Sequence, residues 1–166
     1  LVIVGNASGW LGQSLYLREI FALEKGAPPP VNLTEEKLNG DFVRQLIAEK
    51  QVTACHDISD GGLLVALVEM AFSAFVKGNI FGIEIIKNQD LPPHAFYFGE
   101  EQARYIVTTN DLGKLKRTAA KAGVNISIIG KTTLNGQLIL EDNCSIAIEE
   151  LYKEYDKWLP EYMLGA

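Results

Sequence analysis

Basic stripes, long apolar runs and paired cysteines are what this 166-residue sequence has least of. It carries 15 basic residues against 21 acidic ones, a net charge of −6. That balance excludes a nucleic-acid-binding surface, which needs clustered positive charge. No apolar stretch approaches the roughly 18 residues that cross a bilayer, and no secretory leader is expected. A membrane partner is therefore excluded, and cytoplasmic residence is expected. The 2 cysteines, Cys55 and Cys144, lie far apart without metal-ligand spacing. Both fall in apolar or strand-like runs, so buried free thiols in a reducing compartment are expected. A P-loop, a dinucleotide fingerprint and a nucleophilic triad are all missing. So is an initiating Met: the chain opens directly on the strand pattern "LVIVG". A bare strand at a terminus suggests a piece of a longer protein.

What is present reads as alternating helices and strands. After "LVIVG" and the loop "NASGW", the run "LGQSLYLREIFALE" has helical spacing, and "KGAPPPVN" ends it as a rigid surface connection. Thr34 is the expected N-cap of a helix whose apolar face is Leu38, Phe42, Val43, Leu46 and Ile47. "QVTAC" is strand-like, and an apolar helix to about Phe75 follows it. "GIEIIK", "AFYFG", "ARYIVTT", "NISIIGKT" and "QLILED" all alternate in the β sense. "NDLGKLKRTAAKAG" reads as a helix begun by Asn110 or Asp111 and ended by Gly123. A last helix, "IEELYKEYDKWLPEYM", is expected to be interrupted at Pro160. Consecutive strands imply antiparallel pairing. The expected class is α+β: one domain over 1–166, a mixed, largely antiparallel sheet with helices packed on it.

The segment "HDISDGGLLVALVEMAFSAF" (56–75) joins a polar, acidic, glycine-bearing loop to an almost wholly apolar helix. Ser59 or Asp60 can cap that helix, which is one complete explanation. Yet two glycines in a first turn each cost about 1 kcal/mol against alanine, and a cap does not require them. Glycines there expose main-chain amides to another molecule, as at anion sites on helix termini. Asp57 and Asp60 would repel a bare phosphate, so a bridging Mg²⁺ or sugar hydroxyls would be needed. His56 beside Asp57 is either a general base or, as for most lone histidines at a strand end, structural.

"ACHDISDGGLLVALVEMAFS" resembles the "AHDVSDGGLxVALAEMA" segment in the second half of phosphoribosylformylglycinamidine synthases. In the same order, "VGNASGWLGQSLYLREIF" is similar to that family's "GxxxGxLGxSxYLRE". "NGDFVRQLI" is similar to "NGxFVRxLI", and "YFGEEQARYIVTT" to "FxESQxRxIVT". The resemblance covers residue 1 to about residue 150. It implies the C-terminal domain type shared with aminoimidazole ribonucleotide synthetase, as a C-terminal fragment of a longer synthase. The implied reaction is the ATP-dependent conversion of formylglycinamide ribonucleotide to its amidine with glutamine-derived ammonia. ATP and Mg²⁺ are the implied cofactors of the full-length enzyme. The implied partners are the upstream ATP-binding half of the same chain, a glutaminase subunit and a small accessory subunit. A homodimer is a further expectation.

The resemblance places no catalytic residue in this stretch, and a metal site is left unassigned. Auxiliary nucleotide or phosphate binding is expected at Gly12, Gln13, Ser14, Asp57, Ser59, Asp60, Gly61 and Gly62. Those residues form two glycine-bearing helix starts with amides facing a cleft. Two departures stand out. The family's "ESQ" is Glu100-Glu101-Gln102 here, and its Gly-Gly-Ser is Gly12-Gln13-Ser14. The competing expectations are a related aminoimidazole ribonucleotide synthetase-type enzyme and a non-catalytic assembly module anchored by Trp158 and Tyr162.

Overall fold

A computed structural model describes residues 1–86, 90–141 and 144–165. The chain falls into two compact units, Leu1–Leu67 with Lys87–Ile129, and Val68–Ile86 with Gly130–Ala166.

The first unit is built on a four-stranded sheet. Its strands are β1 (Val2–Val4), β2 (Ala54–Asp57), β4 (Tyr105–Thr108) and β5 (Ile126–Ile128), in the order β2-β4-β1-β5. Every pairing is antiparallel, and Val2 faces Val107 on one side and Ile128 on the other. β1 is buried along its whole length. Val2 and Val4 point to one face of the pleat, as their period of two requires. There they join Phe42, Val43, Leu46, Val107, Leu115, Ala119 and Val124 in a core. The helical residues of that core come from α2 (Leu33–Ala48) and α5 (Leu112–Ala122).

Both helices are held by their ends. Asn32, not Thr34, caps α2: its side chain accepts from the amides of Thr34 and Glu35. A cap one residue before the first helical position leaves Thr34 inside the first turn. The buried face of α2 is Asn39, Phe42, Val43 and Leu46, while Leu38 and Ile47 are exposed. Asp111 caps α5 by accepting from Lys114 N at 2.8 Å, and Gly123 ends it in the left-handed conformation. The short α1 (Leu15–Phe21) starts at Ser14.

"AFYFG" is not a strand. It lies in α4 (Pro93–Phe98), which buries Ala95, Phe96 and Tyr97. Its alternating aromatics suit a strand, but the proline at the first helical position has φ pre-set for a helix and no N–H to lose. Phe98 then stacks on Tyr16 of α1, ring centroids 5.0 Å apart.

"NISIIGKT" is cut in two. Ile129 N still donates to Leu1 O, whereas Gly130 opens β6 (Gly130–Thr133) in the second unit. A Cβ on Gly130 would meet Glu84 O at 2.0 Å, so only glycine allows this close approach.

The second unit has its own sheet, β6-β3-β7-β8, with β3 at Gly82–Ile85, β7 at Gln137–Ile139 and β8 at Ser145–Ala147. Among the described residues only the β3–β7 pairing is parallel. The class is therefore α+β and mostly antiparallel as expected, in two sheets rather than one. Lys87 of "GIEIIK" and Asp142 of "QLILED" lie outside the described residues. The helix α6 (Ile148–Leu164) runs on through Pro160 without the expected interruption. Its Tyr152 packs on Phe72 and Phe75 of α3 (Gly62–Phe75). The thiols are both free, but Cys144 is exposed and Cys55 half-buried, which corrects the expectation of buried cysteines. Cys144 stands just ahead of β8. No helix among the described residues is long and apolar enough to cross a membrane.

Candidate functional site

Asp57 ends β2, and the chain leaves the sheet with Ile58 N donating to Arg104 O at 2.9 Å. Ile58 is buried; Ser59 and Asp60 are exposed, and Asp57 keeps 65% of its side chain in solvent. Gly61 and Gly62 follow, both buried and both left-handed, with φ of 78° and 71°. On Gly62 a Cβ would lie 2.7 Å from Gly99 O and from the Phe98 carbonyl carbon. Gly62 thus answers to a close crossing of two backbones, whereas a Cβ on Gly61 would meet the Val65 side chain at 2.5 Å.

Their amides are not open. Gly61 N donates to Glu100 Oε1 at 2.8 Å, and Gly62 N to Ser59 O at 3.0 Å. The expectation that these N–H groups face a cleft is corrected, and so is capping by a Ser59 or Asp60 side chain. The acceptor at Gly61 arrives from Glu100, far along the sequence. Glu100 Oε1 also accepts from Leu15 N, the first residue of α1, at 2.9 Å. The structure brings the two glycine-bearing junctions together after all, but on a protein carboxylate.

The first junction is equally self-satisfied. Gln13, at φ 59°, donates its amide to Lys25 O at 3.0 Å and its Nε2 to Gly26 O at 2.9 Å. A Cβ on Gly12 would meet Ala27 O at 2.3 Å. Ser14 Oγ accepts from Leu17 N at 3.3 Å and donates to Leu11 O at 2.7 Å. Beside Gln13 and Ser14 lies a depression of about 80 Å³, also lined by Arg18, Leu23 and Glu24. It is far smaller than the roughly 300 Å³ at which ligand pockets begin.

Glu101 makes a second arrangement. Its Oε1 accepts from Ser8 N at 2.5 Å, Ser8 Oγ at 3.0 Å and Trp10 N at 3.0 Å. Its Oε2 lies 2.7 Å from the Arg104 guanidinium, whose side chain is 1% exposed. Arg104 directs a hydrogen bond to Gly99 O at 2.5 Å, and Oε2 itself receives none. Burial by itself would push the Glu101 carboxyl up. Arg104, the amides of Trp10 and Ser8, and its own amide outweigh that and hold it below the ordinary carboxylate range. Burial lowers the Arg104 pKa, and Glu101 opposes that shift. A cavity of about 390 Å³ adjoins this loop, bordered by Asn6, Ser8, Asn32, Glu35, Glu101 and Gln102 among others.

Sequence reasoning found the junctions and singled out Glu100-Glu101-Gln102 as a departure, but it did not join Glu100 to the junctions or Glu101 to the Ser8–Trp10 loop. The only local signal was a pair of adjacent acidic residues ahead of a buried strand. His56 Nδ1 is 2.7 Å from Asp57 O, a local contact at the strand end. Among the described residues no group of three or more His, Cys, Asp or Glu side chains could hold a metal ion. The described residues therefore do not by themselves fit a Mg²⁺ site.

Residues 1–143 match the family described as AIR synthase related protein, C-terminal domain. A phosphoribosylformylglycinamidine synthase subunit PurL from Methylocella silvestris is 47% identical over all of this chain, which covers 22% of that relative. The Thermotoga maritima PurL solved in complex with FGAR aligns with a TM-score of 0.69 at 17% identity, over 90% of this chain and 27% of that one. The same protein complexed with ATP gives a TM-score of 0.62 at 17% identity, over 90% and 25%. These structural likenesses are ones of fold. The chain spans about a fifth of the length of the curated relatives it matches.

Proposed function

The chain belongs to the family of AIR synthase related proteins, through that family's C-terminal domain, and on this premise we propose that it serves an ATP-dependent phosphoribosylformylglycinamidine synthase. The reading rests on one observation, the 47% identity sustained along the entire chain with a relative bearing that name. The whole enzyme would convert formylglycinamide ribonucleotide, ATP and ammonia to the amidine, ADP and phosphate, the amide oxygen leaving in the phosphate, in the cytoplasm and using Mg²⁺. Glutamine would supply the ammonia through a glutaminase subunit, with a small accessory subunit in the assembly.

Within that enzyme this domain has a supporting role and is inactive alone. Exposed Asp57, Ser59 and Asp60 form the rim that an auxiliary nucleotide or phosphate-bearing ligand would meet. Gly61 and Gly62 fix that rim through Glu100 Oε1 and Ser59 O, and the same Glu100 oxygen joins it, at Leu15 N, to the junction of Gly12, Gln13 and Ser14. The catalytic groups and the nucleotide's own amide cradle would come from the upstream half of the full-length chain.

The test is a product assay on the full-length protein with FGAR, ATP, Mg²⁺ and ammonium, and in parallel on the 166-residue chain. Amidine formation is expected from the full-length protein and none from the chain alone. A full-length protein that ignores FGAR but closes the imidazole ring of the amidine would instead make this an aminoimidazole ribonucleotide synthetase-type enzyme. Turnover of neither substrate would favour an assembly module.

A further inference from the structure

We propose that Glu101 is a tethered anion occupying an oxyanion cradle, so that the native chain admits no free anion there and exposes that site only when the carboxylate is removed. The donors come from two segments of the chain and converge on the two oxygens of one carboxylate. They are the amides of Ser8 and Trp10, the Ser8 hydroxyl and the buried Arg104 guanidinium. Main-chain amides from a loop, a hydroxyl and a desolvated guanidinium are the groups that bind phosphate or sulfate in proteins.

The resident carboxylate uses this set incompletely. Three donors crowd onto Oε1, while buried Oε2 takes an ion pair and no directed hydrogen bond. An ion with three or four oxygens would spread those donors out. The adjoining cavity gives such an ion a way in. Glu35 at its border accepts a hydrogen bond from Asn6 Nδ2 at 2.8 Å, and its charge adds to that of Glu101 in turning free anions away. The ligand class of the emptied site is a small oxyanion. This inference stands apart from the synthase reading, since it concerns binding by the chain itself and needs no turnover.

The test compares thermal midpoints of the wild-type chain, Glu101→Ala and Glu101→Gln in sodium chloride, phosphate and sulfate at matched ionic strength. Both salts stabilise proteins non-specifically by exclusion from the surface, and the wild type measures that background. Glu101→Gln removes the charge but leaves the space filled, so it is expected to follow the wild type. Glu101→Ala is expected to start from a lower midpoint. Phosphate at tens of millimolar should then raise it, saturably, by about 5 °C more than the other two. Equal shifts in all three proteins would overturn the proposal. If Glu101→Ala does not fold in chloride, the readout becomes recovery of its far-ultraviolet helix signal on refolding. Recovery in phosphate but not in matched chloride supports the inference, and recovery in neither overturns it.

Discussion

Glu100 and Glu101 are neighbours on the chain and do different work. Glu100 is half-buried, and one of its oxygens ties the start of α1 to the turn before α3. Glu101 is buried, ties down the loop at Ser8 and Trp10, and has a full counter-charge in Arg104. The pair shows how burial decides what a carboxylate needs. Near water, two amides suffice to hold a charge. Out of water, amides alone leave the desolvation cost uncompensated, and a guanidinium has to accompany them.

Removing that guanidinium should break the comparison most severely. Arg104→Met leaves Glu101 buried without its cation and is expected to cost about 3–5 kcal/mol, read from urea unfolding. A cost below that of Glu100→Ala would reverse the ranking argued here. Gly62→Ala comes next. Its Cβ would strike the backbone of Phe98 and Gly99, the segment that delivers Glu100, in a conformation alanine adopts only with strain. A loss of roughly 2–3 kcal/mol is expected by the same measurement. Glu100→Ala orphans the amides of half-buried Leu15 and buried Gly61, for about 1–2 kcal/mol, with Glu100→Gln restoring part of it.

The smallest effect is one of pH. The folded pKa of Glu101 is depressed, so its stabilising contribution is complete above the unfolded carboxylate value of about 4.3. It is lost as pH falls through the folded value. Stability measured between neutral pH and the acid limb should therefore drop less steeply in Glu101→Gln than in the wild type.

Much of the fold was legible because its signals are local. Asp111 and Gly123 bracket α5 as their types demand, and the apolar run after Gly62 does form α3. What misled was also local. The aromatics of α4 suit a strand until the Pro92–Pro93 start is given its weight, and nothing in "NISIIGKT" marks Ile128 as the last residue in one sheet. The glycine junctions were visible as a motif, but their acceptor was not. Glu100 lies 85 positions from Leu15 and 39 from Gly61, and hydrogen bonds at that separation leave no periodicity to read.

One oxygen atom accepting from two helix starts has a kinetic consequence. Neither the Leu15 nor the Gly61 amide can trade its proton for deuterium until the shared acceptor lets go, and a single swing of the Glu100 side chain frees both. Segments distant in sequence are thereby given a common clock, and their protection against exchange should rise and fall in step.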